Sequence, residues 1–265
     1  MSVSDFTITL LGVGGSCAYS SARRSRYGAN TSCALVEAGG QLVILDMGTG
    51  LMHLDKIDRA DILLSHYHLD HIEGMPFFDS FYTGERFDIY GSPPPGSNVR
   101  AALSGLMQAP LLPITLEGFR ADMCFHDVGE GHFITAGGVE VDAITLDHPG
   151  GCTGYKITYN GRSLVYLIDH ERVGDKEINF CTDADLIVYD AHFTAEEFQS
   201  GRYKGWGHSH HEAGLALAEA AAAKRIVFVH HALWRTDDDL DALDQHFRTR
   251  FKDAFIGREE MRIEL

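Results

Sequence analysis

The segment Ser65-His66-Tyr67-His68-Leu69-Asp70-His71 carries three imidazoles and one carboxylate in a short stretch of chain. It follows Ile62–Leu64, an apolar run that we predict to be a short buried strand. His66 and His68 lie two positions apart in this extended segment, so their side chains face the same way. Imidazole nitrogens and carboxylate oxygens are the ligands that zinc and similar divalent ions prefer. The segment therefore predicts a metal site, and a surface loop that is rich in histidine is the alternative.

Five motifs occur in an order that resembles the metallo-β-lactamase superfamily, and the resemblance covers nearly the whole chain. They contain, in chain order, Asp46 in Leu45-Asp46-Met47-Gly48, the histidine segment, His148 in Asp147-His148-Pro149, Asp169 in Leu167-Ile168-Asp169, and His230 in Phe228-Val229-His230. The resemblance implies an α/β fold, a four-layer αβ/βα sandwich in which two mixed sheets pack face to face with helices outside.

The resemblance also implies two divalent metal ions. One ion would be held by His66, His68 and His148. The other would be held by Asp70, His71 and His230. Asp169 would bridge the two ions, Asp46 would orient the site from behind the ligands, and Asp70 is counted among the catalytic residues as well. Zinc is the expected metal, and manganese and iron are the alternatives. A hydroxide that bridges the two ions would be the nucleophile.

Single positions keep other interpretations. His148 beside a proline fits a turn, and Asp169 fits a cap at the end of a strand. At the fifth motif His231 competes with His230, and we favour His230 because it directly follows a predicted buried strand. We expect the other nearby histidines to be neighbours of the site and not ligands: His170 and His192.

A second motif, Gly205-Trp206-Gly207-His208-Ser209, precedes an alanine-rich segment that we predict to be a helix. Ser209 and Glu212 have the spacing of a capping box at its start. His208 would then lie just outside a helix N-terminus, where backbone N–H groups favour an anion. A histidine in that place can protonate the leaving oxygen of a phosphate ester. The alternative for His208 is an ordinary residue ahead of the cap.

This motif is similar to the His-Ser/Thr motif of the phosphodiesterase branch of the superfamily, which includes ribonuclease Z and cyclic-nucleotide phosphodiesterases. In that branch an acidic residue of a preceding strand orients the histidine, and Asp190 stands at that place. Ribonuclease Z has glutamate there and carries a long tRNA-gripping insertion between the fourth motif and the acidic residue. Here residues 170–189 alone separate Asp169 from Asp190. We therefore expect a small phosphodiester, most concretely a cyclic nucleotide, as the substrate.

Other functions and substrate contacts remain open. A hydrolase of a lactone or thioester on the same fold is the first alternative, and a non-catalytic metal or nucleotide sensor is the second. Tyr203 and Trp206 could stack on a nucleobase, although loop packing would also explain them, and Ser209 is a third candidate contact. Three arginines could reach a phosphate but fit a solvated loop better: Arg23, Arg24 and Arg26.

Composition limits the partners. The chain of 265 residues has 22 basic and 38 acidic residues, a formal net charge of −16, which would repel tRNA and DNA. No apolar run is long enough to span a membrane, and the N-terminal stretch lacks the basic start and apolar run of a secretory signal. Five scattered cysteines favour a reducing compartment. We expect one domain over residues 1–265 in the cytoplasm, and the resemblance implies a possible homodimer.

The elements that must position these residues follow from hydrophobic patterning. We predict strands at Phe6–Leu11, Ser32–Glu37, Leu42–Asp46, Ile62–Leu64, Phe87–Tyr90, Val139–Leu146, Cys152–Tyr159, Ser163–Ile168, Leu186–Tyr189 and Ile226–Val229. Helices are predicted near Val99–Gln108, at Ala213–Lys224, and from Asp237 to about Gly257. Each proposed ligand stands at the end of a predicted strand or close to one, and several strand ends can meet at one rim.

Overall fold

Two seven-stranded sheets form the centre of the computed structural model, which describes residues 5–265. The strands are, in chain order, β1 Phe6–Gly12, β2 Cys33–Ala38, β3 Gln41–Leu45, β4 Arg59–Leu64, β5 Arg86–Gly91, β6 Asp122–Asp127, β7 Gly131–Ile134, β8 Glu140–Leu146, β9 Cys152–Tyr159, β10 Arg162–Leu167, β11 Leu186–Asp190, β12 Ile226–Val229, β13 Ala254–Ile256 and β14 Met261–Glu264. The first four residues of the N-terminal stretch considered above lie outside the described residues.

Both sheets are mixed. The first has the order β14-β1-β2-β3-β4-β5-β6, in which β3 to β6 are parallel and the other pairs are antiparallel. The second has the order β13-β12-β11-β10-β9-β8-β7, in which β10 to β13 are parallel. The first half of the chain thus builds one sheet and the second half the other, and β14 returns to the edge of the first sheet.

Within the described part of the chain, residues 5–265, six α-helices accompany the sheets: α1 Asp79–Thr83, α2 Val99–Leu106, α3 Asp175–Phe180, α4 Ala195–Gln199, α5 His211–Ala220 and α6 Asp237–Arg250. Apolar side chains alternate between the two faces of β4, because Leu63 packs in the core between the sheets and Ile62 and Leu64 pack in the core under α2. The four-layer α/β sandwich that the sequence predicts is confirmed. No helix among residues 5–265 is long and apolar enough to cross a membrane.

Several helix ends differ from the prediction, among them the end of α5 at Ala220 instead of Lys224, and two of the differences have a structural cause. Helix α5 is capped by His210, whose side chain accepts the N–H of Ala213, so the predicted capping box of Ser209 and Glu212 is wrong. Buried Ser209 instead exchanges a hydrogen bond with the Tyr189 hydroxyl. Helix α6 ends at Arg250 and not near Gly257, because the chain turns there to add β13 beside β12. Contacts with residues distant in sequence decide the start of α5 and the end of α6, and the local sequence pattern does not reveal these contacts.

Candidate metal centre

The proposed site residues lie where strands of both sheets end. Asp46 follows β3 and His66 follows β4 in the first sheet, whereas Asp169 follows β10 and His230 follows β12 in the second. The loop after β8 brings His148 to the same edge. The carboxyl ends of the parallel strands therefore meet at one rim, and they carry imidazoles and carboxylates from both halves of the chain.

We call His66, His68 and His148 the first cluster. The Nε2 atom of His148 lies 3.0 Å from the Nδ1 atom of His68 and 3.7 Å from the Oδ2 atom of Asp169. His66 Nε2 lies 3.6 Å from the same Asp169 oxygen. Donor atoms that surround one tetrahedral ion at about 2.1 Å are about 3.4 Å apart, so this spacing suits a single metal ion.

We call Asp70, His71 and His230 the second cluster. Asp70 Oδ2 lies 3.5 Å from His71 Nε2 and 3.3 Å from His230 Nε2. Asp169 touches this cluster too, with 3.4 Å between its Oδ2 atom and His71 Nε2 and 3.2 Å between its Oδ1 atom and His230 Nε2. The geometry thus places Asp169 between the two clusters, as a bridging carboxylate requires.

Several atoms of these clusters are buried and make no hydrogen bond within residues 5–265. They are His66 Nε2, His71 Nε2 and Asp169 Oδ1. Buried polar atoms normally have partners, because leaving one unpaired costs about 1–3 kcal/mol. All three face the space between the clustered donors, so the residues fit two divalent ions that would complete their coordination.

Hydrogen bonds behind the ligands fix their orientation. Asp46 accepts from the backbone N–H and hydroxyl of Ser65 at 2.7 and 2.8 Å and from the Tyr166 hydroxyl at 3.0 Å. It also pairs with His71 Nδ1 at 2.9 Å, and His148 Nδ1 donates to the Gly207 carbonyl at 2.7 Å. The bonds of His71 and His148 each use the ring nitrogen Nδ1, which leaves Nε2 available for a metal.

Three residues at the rim have left-handed backbone conformations: Asp46 (φ 58°), Asp169 (φ 50°) and His230 (φ 62°). Residues with a Cβ adopt this region rarely, and such strain persists where the surrounding structure enforces it, often at functional sites. All three directly follow a strand or lie two residues after one. The sharp turn lets the side chain leave the sheet and point across the rim.

His208 lies beside the clusters and pairs with Asp190, the last residue of β11. Its Nδ1 atom is 3.0 Å from Asp190 Oδ2 and 3.9 Å from Asp169 Oδ2. The shorter aspartate therefore reaches the histidine directly. Burial lowers the pKa of His208, but the carboxylates of Asp190 and Asp169 outweigh it and raise the pKa to about 9. The imidazole accordingly holds a proton at neutral pH.

The fifth-motif histidines point in different directions. His230 joins the second cluster, whereas His231 Nε2 donates to the Gly257 carbonyl at 2.8 Å and its ring packs against Tyr27. His192 and His170 are also fully buried, and His192 stacks on His208. His170 packs against Tyr189.

The predicted substrate contacts fare unequally. Ser209 is fully buried, and its hydroxyl bonds to the Tyr189 hydroxyl at 2.7 Å. Tyr203 is half-buried and stacks on Phe193 and Trp234, with ring centroids 4.7 and 5.5 Å away. Trp206 is 52% exposed near the mouth of the site. Loop packing therefore accounts for Tyr203, and Trp206 keeps a free surface.

Two of the three arginines of the loop after β1, Arg24 and Arg26, are engaged elsewhere. Arg24 is buried and donates to the Tyr19 carbonyl at 3.0 Å, and Arg26 pairs with Asp238 and Asp241 on α6. The backbone of the same loop does reach the metal centre, because the Ser16 N–H donates to Asp70 Oδ2 at 2.8 Å.

Glu171 is a site residue that no sequence motif signals. Its Oε2 atom accepts the backbone N–H groups of Gly205 and Gly207 at 2.8 and 3.1 Å. Gly207 is in turn the carbonyl partner of His148, and a Cβ added at Gly207 would lie 2.3 Å from His148 Nδ1. Glu171 therefore holds the loop on which both His148 and His208 depend. Its place two residues after Asp169 is the only available hint.

Comparisons with known proteins identify the family of the chain. A family model described as a beta-lactamase superfamily domain matches residues 45–231. Ribonuclease Z from Bradyrhizobium diazoefficiens is 33% identical over 155 residues, which cover 54% of this chain and 46% of that protein. The chain thus spans about half the length of this curated relative.

Solved structures share the fold. The metallo-beta-lactamase fold protein YhfI from Bacillus subtilis has a TM-score of 0.72 at 20% identity, covering 98% of this chain and 99% of that one. The short form of human tRNase Z has a TM-score of 0.70 at 20% identity, covering 97% of this chain and 98% of that one.

Proposed function

Because the chain belongs to the metallo-β-lactamase superfamily, we propose that it is a dinuclear metal-dependent phosphodiesterase that hydrolyses a small phosphodiester, most concretely a cyclic nucleotide. The observation that carries the proposal is the His208–Asp190 pair, which lies 3.9 Å from the bridging carboxylate of Asp169. A lactone or thioester hydrolase would not need His208, because its leaving group could take a proton from a metal-bound water instead.

Two divalent ions in these clusters would activate a water molecule at neutral pH and neutralise charge on the phosphoryl oxygens. The nitrogen and oxygen donors suit zinc, and manganese or iron in second place. The remaining chemistry belongs to the chain. Asp190 orients the His208 ring through Nδ1, so that Nε2 is free to donate a proton to the departing alkoxide. Asp46 and Gly207 keep His71 and His148 turned toward the metals.

A small substrate is proposed over tRNA for two reasons. The chain has a net charge of −16, which opposes binding of a polyanion. Between β10 and β11 the structure has a short loop and α3, Asp175–Phe180, and these leave no long arm in that segment to grip RNA. The relatives named ribonuclease Z make tRNA the competing substrate that a test must include.

The test is a comparison of turnover by the zinc-loaded protein on four substrates: bis(p-nitrophenyl) phosphate, 3′,5′-cyclic nucleotides, a precursor tRNA with a 3′ trailer, and a lactone. We expect hydrolysis of the first two. Turnover of the lactone alone would refute the phosphodiesterase, and the absence of any turnover would favour a sensor. Faster processing of the precursor tRNA than of any cyclic nucleotide would replace the small substrate with RNA.

A further inference from the structure

A series of ring contacts leads from His208 to the protein surface. The His208 ring stacks on His192, with centroids 4.6 Å apart and planes 20° apart. His192 meets Trp234 at 5.5 Å in a perpendicular arrangement. His192 is 1% exposed and Trp234 is 43% exposed, so this indole is where the series reaches solvent. The series thus connects the proposed proton donor with an exposed indole through a buried imidazole.

The Trp234 ring is held in place. Its Nε1–H donates to Glu197 Oε1 at 2.9 Å, and Tyr203 stacks on it with planes 16° apart. Glu197 belongs to α4 and also pairs with Arg235. Because the indole is already ordered, a ligand that stacks on it loses little side-chain entropy on binding.

Trp206 also contacts Tyr203 and meets it edge-on, with centroids 5.2 Å apart. It lies between the two glycines whose N–H groups Glu171 binds, so its turn is fixed from both sides. Both glycines have positive φ, 80° and 79°, which a residue with a Cβ would adopt only with strain. Trp206 and Trp234 are the two tryptophans of the chain, and both expose ring surface beside the same site.

We infer that Trp206 and Trp234 form a subsite that stacks a planar ring carried by the leaving group of the substrate. The inference rests on the proposed function, because His208 marks the side on which the leaving group departs. Ordered aromatic faces bind nucleobases of any identity, since every base presents a π-face. The substrate class is therefore a phosphodiester of a nucleoside or another ring-bearing alcohol, and a diester of an aliphatic alcohol lacks this contact.

The test measures binding without turnover, with the metal-loaded full chain and two probes that differ only in the base: adenosine 5′-monophosphate and ribose 5-phosphate. Trp234→Ala should weaken binding of the nucleotide by about 5- to 150-fold, the range found when a stacking ring is truncated, and leave ribose 5-phosphate unchanged. Trp206→Ala should act in the same direction. Trp234→Phe, which keeps a ring, should stay within about threefold of the unsubstituted protein.

Leu111→Ala is the matched control, because Leu111 is an exposed apolar side chain in the loop after α2 and lies outside the ring series. Equal losses for both probes, or no loss for either tryptophan variant, would overturn the subsite. Selective binding of the nucleotide by a protein that hydrolyses no diester would overturn the proposed function and keep the subsite. Diester hydrolysis with no preference for the base would do the reverse.

Discussion

The two metal clusters share Asp169 but differ in their surroundings. In the first cluster His68 is exposed, and all three donors outside Asp169 are imidazoles. In the second cluster every member is buried, with His71 and His230 at most 1% exposed, and Asp70 adds a carboxylate. Greater burial and one more negative charge favour tighter binding of a cation in the second cluster, and exposure gives the first cluster contact with substrate.

The hydrogen bonds that orient the ligands also differ between the two clusters. His71 rests on Asp46, which three further donors from Ser65 and Tyr166 hold inside the core. His148 rests on the Gly207 carbonyl of a surface loop, which Glu171 holds. The second cluster therefore depends on the core of the fold. The first depends on the core through His66, whose Nδ1 atom lies 3.0 Å from the Ser65 hydroxyl, and on a loop through His148.

Asp169→Ala should have the largest effect, because it removes the residue that both clusters share. We expect both metal affinities to fall and turnover to drop to the uncatalysed background. Inductively coupled plasma mass spectrometry measures the metal content of the variant and of the unsubstituted protein. An unsubstituted protein that binds at most one equivalent when metal is abundant would disprove the dinuclear site.

His230→Ala should separate the clusters. It removes a donor from the buried second cluster, so one of two metals should be lost and turnover should fall by orders of magnitude. His231→Ala is the matched control, because His231 donates to Gly257 and does not join a cluster. The opposite ranking of the two variants in metal content would show that the fifth motif is shifted by one residue.

His208→Ala should leave both metals in place and reduce turnover by about 10²–10⁴-fold, the usual contribution of a general acid. The loss should be largest for a ribose alkoxide, which needs a proton, and much smaller for nitrophenolate. Asp190→Asn should show the same pattern more weakly, because the imidazole stays but loses its orienting charge. Equal slowing of both leaving groups, or loss of a metal, would rule His208 out as the acid.

The pH dependence of turnover also tests whether His208 is the general acid. Neighbouring carboxylates raise the pKa of His208 to about 9, so the acid is protonated at neutral pH and loses its proton as the pH rises through that value. Bound cations would move this limb to lower pH. Turnover of alkoxide esters should therefore decline on the basic side, and His208→Ala should lack that decline.

Asp46→Asn and Glu171→Ala form a pair with the smallest expected effects. Asp46→Asn should lower the metal affinity of the second cluster by about 10–100-fold, as is usual for a residue behind a ligand. Glu171→Ala acts one bond further from the metal and should weaken the first cluster by less than that. Competitive chelator titrations of both variants measure this, and loss from the same cluster in both would remove the distinction between core and loop support.

The sequence predicts the proposed metal ligands more readily than the residues that orient them. The members of the two metal clusters were predicted, because histidines and aspartates next to apolar strands combine a residue type with a position at a rim. His192, which lies close enough to His208 and His230 to share an ion with them, was expected to be a neighbour only. All of the predicted strands appear, with ends within three residues of the prediction, since period-two and buried apolar runs decide them. The short edge strands β6, β7, β13 and β14 were missed, because half-exposed segments such as β6 carry no clear alternation.

The features that the sequence did not predict arise from contacts between residues distant in the chain. Glu171 finds Gly205 and Gly207, and Trp234 finds His192, only after the chain has folded. Ser209 has the right spacing for a cap but is withdrawn by Tyr189, so the cap moves to His210. A local pattern cannot rank a cap against a buried hydroxyl partner that lies in another strand.

The division of donors between the two sheets would make each of the proposed ions a cross-link. In each cluster two donors come from the loop after β4 and a third comes from the second sheet. Metal binding is therefore linked to the cohesion of the two halves, and a concentration 100 times the dissociation constant would stabilise the folded state by about 2.7 kcal/mol per site. A chain cut in the turn at residues 128–130, between β6 and β7, would yield two complementary fragments whose reassembly depends on the concentration of the ion.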